Sequence, residues 1–257
     1  MFEIKVDTHV HSINSVHAYS TINEITEVAQ KKDLEAVVIT DHFGPHFLSS
    51  SLFQMYAGIT NIRNMPSTIN KIEVLNGAEV DIIDKYGNLA FFDSYFPFEE
   101  HLSVLELLYK KTAFFIASFH NLDGFKLTGL ETTKMLVSVL GNPYVDVLGH
   151  CDRINTKFDE IEVIKEAKWR NKVIEFNCHS FNQKDFSREK LRKLALLCAQ
   201  EGVKISVGSD AHFATQVGDF GKMINFFQEI DFPEKLIINK TKEDFKKHIL
   251  HKSNGYN

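Results

Sequence analysis

Two pairs of potential metal ligands stand near opposite ends of the chain. His9 and His11 are separated by one residue, and Asp210 and His212 repeat that spacing. Side chains two positions apart on an extended strand point to the same side, so each pair can present two ligand atoms to one cation. Imidazole nitrogens and carboxylate oxygens are also the usual ligands of catalytic zinc, which keeps one position open for water. The two pairs therefore predict metal-centred chemistry.

Further histidines and carboxylates follow other apolar runs of the sequence. With them the predicted metal ligands, all nitrogen or oxygen donors, are His9, His11, His17, His42, Glu79, His120, His150, Asp210 and His212. Zinc takes about four ligands, so this set is too large for one ion and could supply about three if one side chain is shared. Glu79 is the predicted bridge, because among these residues only its side chain is long enough to span two ions about 3.5 to 4 Å apart.

An ordinary role must be weighed against ligation for each histidine. A single histidine at a strand end is usually a hydrogen-bonded side chain and no more. Here, however, six strand ends carry His, Asp or Glu, and two of them have the paired spacing. This concentration favours one shared cause, a site for several metal ions. The ordinary role is kept for His46, His101, His179, His248 and His251. Of these, His46 and His179 lie near the predicted rim, and His248 and His251 are expected in solvent. Cys178 is likewise assigned to the core.

Seven short apolar runs, rich in Val, Ile and Phe, alternate with segments of helical spacing. This βαβα pattern predicts an α/β fold with a parallel sheet. The runs are Phe2 to Asp7, Ala36 to Thr40, Glu73 to Gly77, Ala113 to Ser118, Val145 to Leu148, Val173 to Phe176 and Lys204 to Val207. Seven runs predict a barrel with one βα unit fewer than the usual eight, and in such a barrel the residues after the strands converge at one rim. No linker divides the chain, so one domain over residues 1–257 is expected.

Local signals define some of the connecting elements. Thr21 with Glu24 three residues later forms a capping box that predicts a helix start, and a second helix is predicted from Ser187 to a stop at Gly202. Asp84 to Gly87 is predicted to form a hairpin turn within an extended stretch. These elements follow the first, sixth and third predicted strands.

The composition is that of an ordinary globular protein. With 257 residues, 44% of them hydrophobic, the chain can bury a substantial core. A net charge of −5 disfavours nonspecific nucleic-acid binding. We expect neither a signal peptide nor a transmembrane span. Three well-separated cysteines, Cys151, Cys178 and Cys198, argue against a disulfide framework and a thiolate zinc site, and favour the reducing cytoplasm.

The motifs that carry these ligands resemble the PHP (polymerase and histidinol phosphatase) family. They are Asp7-Thr8-His9-Val10-His11, Thr40-Asp41-His42, Gly77-Ala78-Glu79 and Gly208-Ser209-Asp210-Ala211-His212. Within the family, the segment from His17 to Thr21 and the ending from Asp231 to Asn239 look like the YcdX-type phosphatase branch. The resemblance covers almost the whole chain. It implies a distorted (β/α)7 TIM-like barrel with a trinuclear site at its C-terminal rim, usually zinc and sometimes iron or manganese.

The resemblance also implies how the ligands are shared among three ions. One ion would be held by His9, His11, Glu79 and Asp210, a second by Glu79, His120 and His150, and a third by His17, His42 and His212. All nine positions carry the residue types of the family pattern. The chain departs from the branch after His150, where Cys-Asp-Arg replaces Pro-Gly, and at Cys178-His179, which replaces small polar residues. These departures put the choice of substrate in doubt more than metal binding.

The predicted function is hydrolysis of phosphate monoesters by a metal-activated water. Bound ions would neutralise phosphate oxygens and lower the pKa of a bound water from 15.7 to about 7. Asp41 is predicted to orient ligands or shuttle a proton, and Arg153 to grip phosphate through two parallel hydrogen bonds. The predicted partner is a small phosphorylated substrate, without stable nucleic-acid or membrane association, and a homo-oligomer is left open.

Other functions share the same ligand set. A histidinol-phosphate phosphatase, a phosphodiesterase and an amide-cleaving metal hydrolase would all activate water in this way. From a different class, the chain could be a noncatalytic metal-binding module, as some PHP domains are when attached to polymerases. The complete ligand set and the lack of a polymerase domain in this sequence speak against the module.

Overall fold

Seven parallel strands form the wall of a nearly closed barrel in the computed structural model, which describes residues 2–47, 52–97 and 99–253. The strands are β1 (Val6–Val10), β2 (Ala36–Ile39), β3 (His42–Phe43), β4 (Thr68–Ile69), β5 (Ile72–Asp81), β6 (Tyr95–Phe96), β7 (Glu99–Ser103), β8 (Phe114–Ser118), β9 (Val147–Leu148), β10 (Val173–Asn177) and β11 (Ile205–Gly208). The helices are α1 (Ile22–Lys31), α2 (Leu52–Asn61), α3 (Val104–Lys111), α4 (Gly129–Gly141), α5 (Glu160–Trp169), α6 (Arg188–Glu201), α7 (Gly221–Glu229) and α8 (Lys242–Ser253).

The wall runs in the order β1, β2, β5, β8, β9, β10, β11, and every neighbouring pair in it is parallel. The short β3 continues the line of β2 along β5, and β4 pairs antiparallel with β5. This α/β arrangement confirms the predicted TIM-like barrel of seven βα units. None of the helices in the described part of the chain is long and apolar enough to cross a membrane.

The barrel closes along a seam between its first and last strands. At the C-terminal end, the Asp210 amide donates to the His9 carbonyl at 2.8 Å and the His11 amide donates to the Ala211 carbonyl at 2.9 Å. At the N-terminal end, the side chain of the buried Asn239 fills the seam. The closure therefore brings together the two ligand pairs that lie near opposite ends of the sequence.

Two apolar layers fix the position of the strands. One lies inside the barrel and comprises inward-facing strand residues, closed at the N-terminal end by Phe245 and Ile249 of α8. The larger layer lies between the outer faces of the strands and the surrounding helices. Alternate residues of each strand serve the two layers, as Val38 and Ile39 of β2 illustrate. The C-terminal mouth is left to polar side chains.

The predicted caps and turn are present, whereas several strand boundaries differ from the prediction. The Thr21–Glu24 capping box is present, and α6 runs from its Ser187 cap to Gly202, whose φ of 67° is left-handed. Gly87 also has a positive φ, and the turn from Asp84 is closed by a single bridge between Ile82 and Leu89. The first strand begins at Val6 instead of Phe2, because Phe2 and Ile4 are buried in the outer layer without joining the sheet.

Candidate metal centre

The first ligand pair lies at the C-terminal end of β1. His9 is within the strand and His11 follows it, and both are fully buried. Their Nε2 atoms point to the same side and lie 3.1 Å apart. Two imidazoles in this arrangement can face one cation.

Glu79 lies at the centre of the cluster. It is in β5, only 1% exposed, and faces the mouth of the barrel. Its Oε1 is 2.9 Å from His150 Nε2, and its Oε2 is 3.4 Å from His9 Nε2. Nitrogens of five imidazoles lie within 3.5 Å of its two carboxylate oxygens, namely those of His9, His11, His42, His120 and His150. The side chain thus has the position that a bridging ligand requires.

Asp210 is the second buried carboxylate of the cluster. Its Oδ1 lies 3.2 Å from His11 Nε2 and 3.6 Å from His212 Nδ1. Its backbone has a φ of 57°, and that of His150 has a φ of 22°, both in the left-handed region that non-glycine residues rarely adopt. Strain of this kind tends to concentrate at functional sites.

His17 and His212 form the outer edge of the cluster. Their Nε2 atoms are 2.8 Å apart, and the His17 ring stacks on His42 with centroids 4.8 Å apart. His17 is exposed, whereas the side chain of His212 is 21% exposed. The structure therefore brings all nine predicted ligands into one connected cluster, more open at this edge than around Glu79.

Unpaired buried atoms test whether the cluster fits metal ions. His42 Nδ1 and Glu79 Oε2 are 2.7 Å apart without the geometry of a hydrogen bond, and both, like His42 Nε2, lack any hydrogen-bond partner in the described chain. Such atoms are costly unless something satisfies them, and a cation would. Three triads have ligand atoms within 4.8 Å of one another: His9–His11–Glu79, His11–His42–His212 and His42–Glu79–His120. The residues fit a polymetal site.

The pKa shifts of Glu79 and His11 suit metal binding. Burial would raise the pKa of Glu79, but the charges of His9, His42 and His120 outweigh burial and hold it well below its usual range. Burial lowers the pKa of His11 to about 3. Ionised carboxylates and neutral imidazoles are the forms that bind metals.

His9 has the opposite tendency. Burial lowers its pKa, but the carboxylates of Glu175, Glu79 and Asp210 outweigh that effect and raise the pKa well above the usual value. A cation at its Nε2 would therefore have to displace a proton.

Glu175 holds two of the ligands from behind and was missed by the sequence prediction. Its Oε1 is 2.6 Å from His9 Nδ1, and its Oε2 accepts from the backbone amide of His150 at 2.9 Å. Gly208 leaves the necessary space, since a Cβ there would lie 2.5 Å from the Cβ of His9 and 2.8 Å from Glu175 Oε1. The available signal was a single carboxylate inside the otherwise apolar strand β10.

Asp41 lies behind the cluster. Its Oδ1 accepts from Ser15 Oγ and from the amide of Ser12, both at 2.7 Å. Ser15 Oγ in turn lies 3.2 Å from His11 Nδ1. Asp41 therefore reaches a ligand through Ser15, an arrangement that suits orienting His11 better than direct contact with substrate.

His120 has a similar support. Its Nδ1 lies 2.8 Å from Asp81 Oδ1. Burial lowers the pKa of His120, but Glu79 and Asp81 outweigh it and raise the pKa to about 10. The sequence prediction also missed Asp81, although it lies two residues after Glu79 on the same face of β5.

Arg153 is bound to protein groups. Its Nη2 donates to Asp210 Oδ2 at 2.9 Å and to Asn177 Oδ1, and its Nε donates to Ser180 Oγ at 3.1 Å. Asn177 Nδ2 also donates to Asp210 Oδ2, at 3.2 Å. One carboxylate oxygen of Asp210 is thus occupied and the other faces the histidines. The predicted grip on phosphate stays a prediction.

The remaining histidines and cysteines lie apart from the cluster or at its margin. The His179 ring is 6.4 Å from that of His212, and the exposed His46 pairs with Asp123 at 2.9 Å. His248 is half-buried, because one side of α8 packs against the barrel. The side chain of His251 lies outside the described residues. The three cysteines are buried free thiols, and burial raises the pKa of Cys151 to about 12.

A parallel barrel with a rim of buried imidazoles and carboxylates defines a class of proteins built to hold several cations. The PHP domain family model matches residues 7–189, and the chain belongs to this family.

Relatives and solved structures extend the comparison. A protein of Acetivibrio thermocellus called a probable phosphatase is 35% identical over 247 residues, covering 96% of this chain and 95% of the relative. A second probable phosphatase, from Clostridium botulinum, is 36% identical over 248 residues, covering 96% of this chain and 95% of the relative. A histidinol phosphate phosphatase from Lactococcus lactis, solved with zinc, L-histidinol and phosphate, has a TM-score of 0.62 at 17% identity, covering 89% of this chain and 94% of that one. This last likeness concerns the fold.

Proposed function

We propose that this chain is a metal-dependent phosphatase that hydrolyses phosphate monoesters at a cluster of about three divalent ions. The observation that carries the proposal is the buried Glu79 carboxylate with five imidazoles within 3.5 Å of its oxygens. The names of the relatives support the phosphatase activity. The zinc in the Lactococcus lactis structure supports zinc as the first metal to test.

The nine ligands would divide among the ions as the family resemblance implies. Glu79 would connect the group of His9, His11 and Asp210 with that of His120 and His150. His17, His42 and His212 would hold the outermost ion. His42 also approaches Glu79 at 2.7 Å, so it lies between the outer group and the inner ones.

Divalent ions at these residues would neutralise phosphate oxygens and lower the pKa of a water, which supplies the nucleophile for attack on phosphorus. The chain's own contribution is to hold the ligands in place. Glu175 fixes the orientation of His9, Asp81 that of His120, and Asp41 acts on His11 through Ser15. Such supporting hydrogen bonds determine which imidazole nitrogen is free to bind.

Arg153 is the protein cation at this rim whose guanidinium reaches a predicted ligand. Because its Nη2 is bound to Asp210, we propose that it positions this carboxylate as a ligand through one oxygen. Its Nη1 has no described hydrogen bond and is the group that could contact a substrate phosphate, as the sequence predicted. The two roles give different outcomes when the residue is changed.

A substrate panel tests the proposal. The purified chain is loaded separately with zinc, manganese and iron, then assayed on a set of phosphomonoesters that includes histidinol phosphate, on a phosphodiester and on an amide. We expect turnover of monoesters that a chelator abolishes and added metal restores. Preferential cleavage of the diester or amide would replace the proposed reaction. Inactivity on every compound at full metal loading would favour a noncatalytic module.

Compartment and partners follow from the same proposal. The free, buried cysteines suit a reducing compartment, and we propose the cytoplasm. The partner is a small phosphorylated metabolite. The net charge of −5 gives no basis for stable nucleic-acid binding.

A further inference from the structure

A cavity of about 420 Å³ lies outside the barrel wall, beneath α2. Its walls are mainly apolar and include Ile39 of β2, Ile59 of α2 and Leu108 of α3. Asp41 and His42 border it on the side of the metal centre. Small-molecule sites in proteins commonly have volumes of about 300–1,000 Å³ and a few polar groups in an apolar lining. The cavity has these properties.

Asn76 is one of several polar residues in its wall, which also include Asn14, Gln54 and Asn61. Strand β5 directs Ile72, Val74, Ala78 and Val80 outward into the apolar layer between barrel and helices. Asn76 occupies the middle position of that same face, is half-buried and borders the cavity. Its side-chain amide forms no hydrogen bond with the described residues. The buried unpaired side-chain atoms of the described chain do not include this amide, so it is accessible and can hydrogen-bond a molecule inside the cavity.

Gly58 is an exposed glycine that borders the cavity from α2. A Cβ built on it meets nothing within 4 Å, so a side chain can be introduced there without a steric clash. Glycine inside a helix is unfavourable relative to alanine, so substitution should not weaken the helix itself.

The charge of the lining limits what can bind. Among the described residues that border the cavity there is no lysine or arginine, whereas Asp41 contributes a carboxyl group. These residues therefore offer an anion no lysine or arginine, and the His42 ring faces the carboxylate of Glu79. Water alone could satisfy Asn76 but would leave the apolar walls wetted, and apolar cavities of this kind favour organic guests.

We propose that the cavity beneath α2 binds a compact neutral molecule, mainly apolar, with one hydroxyl, carbonyl or amide group that hydrogen-bonds the side chain of Asn76. The site borders the metal centre at His42 but does not depend on the proposed phosphatase activity. It borders Asp41, which is linked through Ser15 to His11. A bound molecule would thus lie two hydrogen bonds from a metal ligand.

Three related probes test the proposal on the metal-loaded full chain. The three compounds share a benzene ring. Toluene carries no polar group, benzyl alcohol carries a neutral hydroxyl, and benzoate carries a negative charge. Binding is followed through the methyl resonances of Met55 and Met65, which border the cavity, with the buried Met135 and Met223 as references. We expect saturable shifts confined to the first two methionines, tightest for benzyl alcohol, weaker for toluene and absent for benzoate.

Two variants locate the binding. Valine suits a strand, so Asn76→Val should fold. It should weaken the binding of benzyl alcohol at least fivefold, to the affinity of toluene, and leave the binding of toluene unchanged. Gly58→Phe should abolish binding of both, and Gly58→Ala should retain it. Gly221→Phe is the matched control, since a Cβ at that exposed glycine also meets nothing within 4 Å. Should Gly58→Phe fail to fold, Asn76→Val decides alone.

Contrary results are equally definite. Absence of saturable shifts at Met55 and Met65 would mean that the cavity holds only water, and the proposal would fail. Equal affinity of benzyl alcohol for the wild type and for Asn76→Val would show that the side chain of Asn76 does not contact the ligand. Binding of benzoate as tight as that of the alcohol would contradict the neutral ligand class.

Discussion

The seam between β1 and β11 is built differently at its two ends. At the C-terminal end, direct backbone bonds join His9 to Asp210 and His11 to Ala211, and the side chains beyond them are ionisable and buried. At the N-terminal end, Asn239 lies between the strands. Its amide nitrogen donates to the Val6 and Val207 carbonyls at 2.7 and 2.8 Å, and its Oδ1 accepts from the Val207 amide at 3.0 Å.

The difference extends to the whole barrel, whose two ends are suited to function and to stability respectively. The C-terminal end accepts left-handed backbone at Asp210 and unpaired atoms on His42 and Glu79, which cost folding energy. At the N-terminal end, Asn239 pairs with backbone groups of Val6 and Val207, and Phe245 packs against Phe114 with ring centroids 5.1 Å apart. In barrels of this type the C-terminal face carries catalysis and the opposite face stability. Substitutions at the two ends should therefore change different measurable quantities.

The largest effect on the metal centre is expected from Glu79→Gln. The amide keeps the shape of the side chain but loses the charge that connects two groups of ligands. Metal affinity should therefore fall by more than about 100-fold, and metal content and phosphomonoester turnover should fall with it. Metal analysis and kinetics measure this. Glu73→Gln is the control, because Glu73 lies at the other end of β5 and pairs with Lys246 at 2.6 Å. Full metal stoichiometry and rate in Glu79→Gln would refute the bridging role.

Glu175→Gln should have an intermediate effect. Its partner His9 stays in place, but the loss of charge weakens the imidazole as a ligand, and removal of such supporting groups typically costs about 10- to 100-fold in metal affinity. Competition with a fluorescent chelator measures it. Glu166→Gln, on the surface of α5, should change nothing. Unchanged metal affinity in Glu175→Gln would show that Glu175 serves packing alone.

A smaller effect is expected from Arg153→Lys. Lysine keeps the charge but cannot hold Asp210, Asn177 and Ser180 together, so metal affinity should fall by about tenfold, the lower end of that range. Arg170→Lys, which alters an exposed pair on the helix surface, is the control. If the KM for a phosphomonoester rises while metal affinity stays constant, Arg153 contacts phosphate instead, as the sequence predicted.

Asn239→Ala should leave the metal centre unaffected and destabilise the fold. The substitution leaves buried backbone groups at the N-terminal end of the seam without partners, at a cost of about 1–3 kcal/mol. Denaturant unfolding of the metal-free chain measures the loss, and Asn225→Ala on the exposed face of α7 should show none. A fall in the metal affinity of folded Asn239→Ala would mean that the two ends of the seam are coupled.

The sequence predicts the barrel because buried strands leave a periodic apolar signal, and every one of the seven runs overlaps a strand of the wall. It indicates the ligands because strand ends meet at one rim. The contact between Glu175 and His9 cannot be read from apolar periodicity or from strand ends. The two residues are 166 positions apart and touch only across the closed barrel. The target of Arg153 is hidden for the same reason. The start of β1 at Val6 depends on its pairing with a segment near the other terminus, which periodicity does not show.

Anomalous diffraction from a crystal of the zinc-loaded chain tests whether Glu79 bridges two ions. We expect at least two zinc peaks about 2.0–2.3 Å from the carboxylate oxygens of Glu79, one of them also in coordination range of a His9 nitrogen and the other of a His150 nitrogen. Zinc peaks confined to surface residues, with none in coordination range of Glu79, would contradict it.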